Sequence, residues 1–460
     1  MSDSQHSGWR VVAIIFIAIA IVVGLQFLPL SKWSNGLLSD FNLLSDITDT
    51  PQSDSDDDDV NDDIEIDPLI AEEIDTRQID TTGVEAGSKP LIAVQPNVVD
   101  GQVVIEDYTA SGHGLENLRK AIKDGRMARI AVIGDSYIEG DIFTQDLRDM
   151  LQKKYGGSGV GYVNMYSEFP GFRRSIKQSG GKGWKEYSAK DKSESKYLTL
   201  TQHYYTLDTP TKSTYSGTET FPNASKWNQS KFLFVSPSDA TIRLTTSSGT
   251  KEYPVKSSAE LQCLTVNEPT DLFEVEVSNK SVKGIGVWLT DTNGVNVDCM
   301  SSRGFSGLTL ANVDANISKK LSESIPYDLI VLEFGMNAMS PKQTNFSGYT
   351  KKMESVINHL KAIYPNTDIL VMGIGDRGKK SGTEVHSMVG VAHLINAQRD
   401  MARRTGTLFF DTREAMGGED AIVRWVKNGW ANTDYIHMNH KGGHELAKPF
   451  FKAIESNIEK

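Results

Sequence analysis

The feature that most constrains this 460-residue chain is a regular alternation of apolar and amphipathic segments from about residue 114 onward. The first apolar segment is "RIAVIG" at Arg129, and four more begin near Gly294, Asp328, Asp368 and Thr407. Each is as short as a strand. One helical period, at 115–125, precedes the first segment, and the other four segments are followed by helical periods at 307–320, 349–364, 388–405 and 440–458. Such βα alternation predicts a doubly wound, mostly parallel sheet with helices on both faces, where ligands bind at the carboxyl ends of the strands.

One interval, residues 171–293, interrupts this alternation. It is rich in Thr, Ser, Tyr and Lys and contains short alternating runs such as "LFEVEVSN" and "GIGVWLTD". Short strands with turn residues between them are typical of a β-sandwich. The sequence therefore predicts an all-β domain inserted between the first two strands of the α/β domain, which is divided into residues 101–170 and 294–460.

The N-terminal part predicts a tethered protein. Residues 11–30 are about twenty mostly apolar residues, enough for a helix to cross roughly 30 Å of hydrocarbon. We interpret them as an uncleaved transmembrane signal anchor, with residues 1–10 as a cytoplasmic tail and the rest outside the cytoplasm; a buried core helix is the alternative. Residues 31–100 contain "SDSDDDDVNDDIEIDP", and such like-charge runs predict a disordered linker.

Composition excludes some partners and leaves other questions open. The net charge of −12 owes much to that acidic run, and no dense Lys/Arg stripe with interleaved aromatic residues suggests a nucleic-acid partner. Cys263 and Cys299 could form a disulfide or remain free thiols. Zinc binding by His437, His440 and His444 lacks an evident fourth ligand, so no metal is expected.

Four short motifs place reactive side chains after predicted strands. In "IGDSY", Ser136 could be a nucleophile or simply a helix N-cap. In "DYIH", Asp434 precedes His437 by three residues, which lets a carboxylate orient an imidazole base. The amide of Asn337 in "GMN" could donate to an oxyanion, and Gly307 in "GFSGLT" could bring a backbone N–H close to a ligand.

In this order, "IGDS", "SGLT", "GMN" and "DYIH" resemble the sequence blocks of the SGNH/GDSL hydrolase superfamily. The resemblance implies a flavodoxin-like, three-layer α/β/α hydrolase domain. It also implies Ser136 as the nucleophile of a triad with Asp434 and His437. The oxyanion hole would consist of the Ser136 and Gly307 N–H groups and the Asn337 side chain.

Within the superfamily, the chain is most similar to the peptidoglycan O-acetylesterases. Three stretches carry this likeness: "GDSYIEGDIFTQDLRDMLQKKYGGSGVGYV", a jelly-roll-like, carbohydrate-binding-like insertion before "GFSG", and "NAQRDMARRTGTLFFDTREAMGG". Tyr137 and Ser306 depart from residues frequent in that family, which affects the expected substrate preference.

The resemblance implies a serine esterase that needs no cofactor and removes O-acetyl groups from peptidoglycan or another cell-envelope polysaccharide. Together with the anchor predicted at residues 11–30, it predicts a membrane-anchored, extracytoplasmic (periplasmic or cell-envelope) enzyme. A polysaccharide O-acetyltransferase using the same residues and a non-catalytic glycan-binding protein remain alternatives. The acetylated glycan and the oligomeric state are left open.

Overall fold

The computed structural model describes residues 67, 69–70, 98–191 and 194–459. The helices with described bounds, in chain order α1 to α8, are Glu116–Lys123, Thr144–Tyr155, Ala315–Ser324, Ser347–Ile363, Gly390–Thr405, Thr412–Met416, Ala421–Lys427 and His440–Ile458. Strands β1 to β21 are Val98–Val99, Gln102–Val103, Glu106–Asp107, Ala128–Gly134, Gly159–Val163, Lys177–Gly180, Trp184–Ser188, His203–Leu207, Thr211–Ser216, Trp227–Ser236, Ala240–Thr246, Gly249–Val255, Ser258–Thr270, Leu272–Val277, Lys283–Thr290, Val295–Ser301, Leu329–Glu333, Asp368–Met372, Gly378–Ser381, Glu384–Ser387 and Leu408–Phe410. Short 3-10 helices span Ser136–Asp141, Pro170–Phe172, Ser195–Tyr197, Pro222–Ala224, Leu308–Asn312 and Met336–Ala338.

A six-stranded sheet forms the centre of the α/β domain, in the order β16-β4-β17-β18-β21-β3. The first five strands are parallel, and the short β3 pairs antiparallel with β21 at the edge. All seven residues of β4 are buried, which explains why this strand reads as a continuous apolar run. Among the parallel strands this order is the flavodoxin-like 2-1-3-4-5 arrangement. The predicted doubly wound α/β fold is confirmed.

The helices form two groups, as right-handed crossovers require. Helices α1, α2 and α8 pack together, and α3, α4 and α5 form the second group. The predicted helix at 440–458 has the predicted bounds, and those at 349–364 and 388–405 differ by one or two residues. The predicted single helix at 307–320 is wrong, because two separate helices occupy this stretch. A 3-10 turn ends at Asn312, and α3 starts anew because the Asp314 side chain accepts from the N–H groups of Asn316 and Ile317.

The inserted β domain lies within the crossover from β4 to β16. Its two antiparallel sheets have the orders β13-β10-β15-β8-β7 and β12-β11-β14-β9-β6, and β5 pairs with β15. Because β5 belongs to this domain, the insertion starts before the predicted boundary at residue 171. Strand β10 is buried on both faces: Phe232 and Phe234 enter the sandwich core, whereas Leu233 and Val235 pack into the core of the α/β domain.

The N-terminal predictions fall mostly outside the described residues. This applies to the cytoplasmic tail, to the anchor at 11–30 and to most of the linker at 31–100. Within the described ranges, no helix has the length and apolar content needed to cross a membrane. One part of the linker prediction is wrong: Asp67 and Ile70 are buried, because Ile70 enters the hydrophobic core and the Asp67 carboxylate is satisfied by hydrogen-bond donors.

The cysteines Cys263 in β13 and Cys299 in β16 are both free thiols in the structure, and Cys299 is buried.

Candidate active site

Ser136 lies directly beyond the carboxyl end of β4. The cap of the 3-10 helix that follows is Asp135, whose side chain accepts from the backbone N–H of Tyr137 at 2.9 Å. Ser136 is therefore not the cap. Its hydroxyl instead lies 3.0 Å from Nε2 of His437. The chain passes tightly here, since a Cβ on Gly134 would come within 2.8 Å of the Glu333 carbonyl oxygen.

His437 and Asp434 come from the turn before α8. Nδ1 of His437 lies 2.8 Å from Oδ2 of Asp434. The other carboxylate oxygen, Oδ1, accepts from the backbone N–H groups of Ile436 at 2.9 Å and His437 at 3.1 Å. These contacts fix the carboxylate in place, and they leave Nε2 of the imidazole facing the Ser136 hydroxyl. The structure thus brings together the three residues that the sequence predicts as a triad.

The environment of Asp434 favours its charged form. Burial raises the pKa of this carboxyl, but hydrogen bonds from the His437 side chain and from the two backbone N–H groups outweigh that effect. The net result is a pKa below the ordinary value of Asp. An ionised carboxylate at this position accepts from Nδ1–H, which is the tautomer that leaves Nε2 able to accept a proton from serine.

Beneath Ser136 lies a buried pair of acids. Burial raises the pKa of Asp135 to about 6, although the Tyr137 N–H and the Asn337 amide partly oppose the shift. Glu333, on β17, is also fully buried, and burial together with the neighbouring Asp135 raises its pKa well above the ordinary value. Both effects favour the neutral form of Glu333. Sequence reasoning missed it, since a glutamate inside an apolar run gives no sign of which side chain it faces.

Asn337 lies where the sequence predicts, after β17, but its amide is already engaged. Nδ2 donates to Oδ2 of Asp135 at 2.8 Å and to the carbonyl oxygen of Phe305 at 3.0 Å. Donation to an oxyanion therefore requires that one of these bonds be shared or exchanged. The same two bonds connect the segments that follow β4, β16 and β17.

Gly307 lies in the loop after β16 and has a left-handed backbone, with φ of 89°. A Cβ there would also approach the Phe334 ring to 2.8 Å, so both conformation and packing require glycine. Gly304, the other glycine of "GFSG", meets little: the nearest atom to an added Cβ is Nζ of Lys190 at 3.9 Å.

The three histidines considered for zinc have separate partners. His437 faces Ser136 and Asp434, Nδ1 of His440 lies 2.9 Å from the Gln145 amide, and Nδ1 of His444 lies 2.7 Å from Asp146. In the part of the chain that the structure describes, no group of three or more His, Cys, Asp or Glu side chains could hold a metal ion.

A cleft of about 1160 Å³ lies between the α/β domain and the insertion, and Ser136, His437 and Gly307 are not among the residues that line it. The α/β domain lines it with Glu139, Gly140 and the loop 301–305, a few residues from Ser136 and Gly307 respectively. The insertion contributes aromatic and charged side chains, namely Tyr162, Tyr166, Phe169, Phe172, Arg173, Trp184, Glu186, His203 and Tyr205. Phe169 is 77% exposed and Phe172 43% exposed. Sequence reasoning missed this cleft, since its two walls are distant in the chain.

Comparison with known proteins agrees with this geometry. Residues 277–444 match the model of the GDSL-like Lipase/Acylhydrolase family, so the chain contains a domain of this type. No curated protein sequence matches the chain. A solved structure of a peptidoglycan O-acetylesterase superposes with a TM-score of 0.65 at 21% identity and covers 77% of this chain and 99% of its own. This likeness shows a shared fold.

Weaker structural matches include a family two carbohydrate esterase from Cellvibrio japonicus and an acetyl xylan esterase. The first is 11% identical, covers 61% of this chain and 99% of its own, and has a TM-score of 0.26. The second is 21% identical, covers 35% and 81%, and has a TM-score of 0.27. Scores this low do not establish a shared fold.

Proposed function

We propose that this chain, which carries a GDSL-like lipase/acylhydrolase domain, is a serine esterase that removes O-acetyl groups from a cell-envelope polysaccharide, with peptidoglycan as the first candidate. The observation that supports this most directly is the continuous relay from the Ser136 hydroxyl through His437 to Asp434, with contacts of 3.0 Å and 2.8 Å. This is the arrangement that activates a serine for acyl transfer.

In the proposed reaction, Nε2 of His437 takes the Ser136 proton while Oγ attacks the ester carbonyl. The tetrahedral oxyanion is stabilised by the backbone N–H groups of Ser136 and Gly307 and by the Asn337 amide. Collapse expels the sugar alkoxide, which receives the proton from His437. Water then attacks the acetyl-enzyme with His437 again as base, and acetate leaves.

The cleft whose lining begins at Glu139, three residues beyond Ser136, supports a polymeric substrate. Exposed aromatic faces such as Phe169 and Phe172, with charged and polar neighbours, suit the apolar faces and hydroxyl groups of sugars. The similar structure is that of a peptidoglycan O-acetylesterase, which makes acetylated peptidoglycan the first glycan to test.

The test is acetate release by the purified full-length chain from O-acetylated peptidoglycan, with base-treated, de-O-acetylated peptidoglycan as the blank. Ser136→Ala should abolish release, whereas Ser257→Ala, at an exposed serine of the insertion, should not. If the wild type binds the glycan but releases no acetate, the non-catalytic alternative replaces this proposal. If an added glycan acceptor gains acetyl groups faster than free acetate appears, the same site is that of an acetyltransferase.

We also propose that residues 11–30 anchor the chain in a membrane with the catalytic domain outside the cytoplasm. The length and apolar content of this segment support the proposal. A reporter that is active only in the cytoplasm, fused after Lys460, should be silent. A working fusion would contradict export.

A further inference from the structure

Asp67, which lies far upstream of the hydrolase motifs, is fully buried against the proposed oxyanion hole. Its Oδ2 accepts from the backbone N–H of Ser306 at 2.9 Å and from the Ser306 hydroxyl at 2.6 Å. Its own N–H donates to the carbonyl oxygen of Asn337 at 3.1 Å. Gly307 and Asn337 are the two residues proposed to complete the oxyanion hole. Asp67 thus binds both Ser306, the neighbour of Gly307, and the backbone of Asn337.

The remaining contacts hold Asp67 itself in place. Oδ1 accepts from the Leu69 N–H at 3.1 Å and lies 3.5 Å from Nζ of Lys190, which offsets its charge. Ile70 is 2% exposed and packs into the core of the α/β domain. A buried carboxylate is costly to place unless donors satisfy it, so this set of contacts holds Asp67 in one position.

Asp67 shares the task of fixing the loop beside Gly307 with the Tyr349 hydroxyl, since the Gly307 N–H belongs to the same peptide group as the Ser306 carbonyl oxygen. Ser306 is held on its carbonyl side by the Tyr349 hydroxyl at 2.9 Å, while Asp67 holds its N–H side. A donor must point at the position of the developing oxyanion, and removal of one such donor costs about 100-fold to 1000-fold in kcat in other enzymes. Displacement of a donor should cost less than its removal.

From these contacts we infer that Asp67 is a positioning residue: it sets the orientation of the Gly307 N–H and of Asn337 for oxyanion stabilisation. This inference rests on the proposed esterase function for its kinetic consequence, although the contact itself can be tested without catalysis.

The kinetic test uses the full-length chain and two substrates, p-nitrophenyl acetate and its thionoacetate. A thiocarbonyl sulfur is a weak hydrogen-bond acceptor, so an oxyanion hole assists the oxygen ester more. Asp67→Ala should lower kcat for acetate about tenfold with KM little changed, and should lower the acetate-to-thionoacetate rate ratio. Asp67→Asn keeps one acceptor for Ser306 and should recover much of the ratio. Leu69→Ala, at a 48% exposed neighbour, is the matched control and should match the wild type.

Amide hydrogen exchange of the peptide spanning residues 302–309 provides the second readout. Asp67→Ala should accelerate exchange there while Leu69→Ala does not, with both variants folded by circular dichroism. If the wild type hydrolyses neither ester but Asp67→Ala still accelerates exchange, the positioning contact is supported and the esterase proposal is overturned. An active enzyme whose rate ratio and exchange are both unchanged by Asp67→Ala would overturn the inference.

Discussion

Asp434→Asn should lower kcat more than Asp434→Ala does, because backbone N–H groups fix the orientation of the new amide. Two N–H groups, from Ile436 and His437, donate to Oδ1, so the amide oxygen should stay there. The amide NH2 then faces Nδ1 of His437 and donates to it. Nε2 must carry the ring proton in that tautomer and cannot accept one from Ser136.

The size of the expected loss in kcat follows from the cost of rotating the new amide into the opposite orientation. Turning the amide over restores the productive tautomer but leaves two N–H groups without their acceptor, at about 1–3 kcal/mol each. Because the Asp434 side chain is 30% exposed, water offsets part of this cost, and a total of about 4 kcal/mol is reasonable. At 1.36 kcal/mol per tenfold, kcat should fall about 1000-fold. Asp434→Ala leaves the tautomer free and should retain more activity.

The assay is kcat and kcat/KM for p-nitrophenyl acetate at pH 7. The chain offers a matched control in Asp420, which also accepts a backbone N–H on Oδ1 and faces an imidazole, that of the exposed His386, through Oδ2 at 3.1 Å. Asp420→Asn should leave kcat unchanged. An Asp434→Asn enzyme within about fivefold of the wild type, or one more active than Asp434→Ala, would refute the tautomer argument.

Three further predictions concern stability and specificity. Asp141→Ala leaves the buried Arg148 guanidinium without the carboxylate that it now contacts through two nitrogens, and should lower the free energy of unfolding in urea by about 3–5 kcal/mol. Asp400→Ala, at an exposed ion pair with Arg403, should change it by less than about 1 kcal/mol. Burial raises the pKa of Asp368 to about 6, so this carboxyl holds its proton more tightly in the native state and its contribution to stability falls as pH rises from about 4 to 6. The difference in free energy of unfolding between Asp368→Asn and the wild type should therefore shift in favour of the variant from about pH 4.5 to 6.5, whatever its value at low pH. A difference that does not change with pH would contradict the raised pKa. Phe169→Ala should reduce acetate release from polymeric peptidoglycan several-fold with little effect on p-nitrophenyl acetate, and equal losses on both would argue against a glycan contact.

The sequence predicts the central sheet well for a physical reason. Strands such as β4 and β17 are buried on both faces, so their apolar runs mark them without any knowledge of their neighbours. The predicted site residues follow strands of one sheet, and parallel strands bring their carboxyl ends to one edge. This places Ser136 and Asn337 at that edge, whereas Asp434 and His437 lie in the turn before α8 and reach it because α8 packs against α2.

Other features depend on contacts that sequence patterns do not encode. The two-residue strand β3 is too short to give a pattern. Asp135 and Ser136 are both residue types that cap helices, so the sequence does not show which of them is the cap. Asp67 stands in an acidic stretch typical of disorder, and only the donors that meet it in the fold make its burial favourable. Charge density alone therefore predicts that Asp67 belongs to the linker.

The loop from Ser302 to Gly307 shows why a complete site extends beyond the segment that matches the acylhydrolase family. Polar contacts from the insertion include Nε2 of His203, 2.9 Å from the Ser302 hydroxyl, and Nζ of Lys190, which donates to the Gly304 carbonyl oxygen at 2.6 Å. Asp67 contacts it from the N-terminal side. If the loop carries an oxyanion donor, as proposed, hydrolysis of even a small ester depends on the insertion and on the upstream segment, and neither can be treated as a separable module for glycan binding.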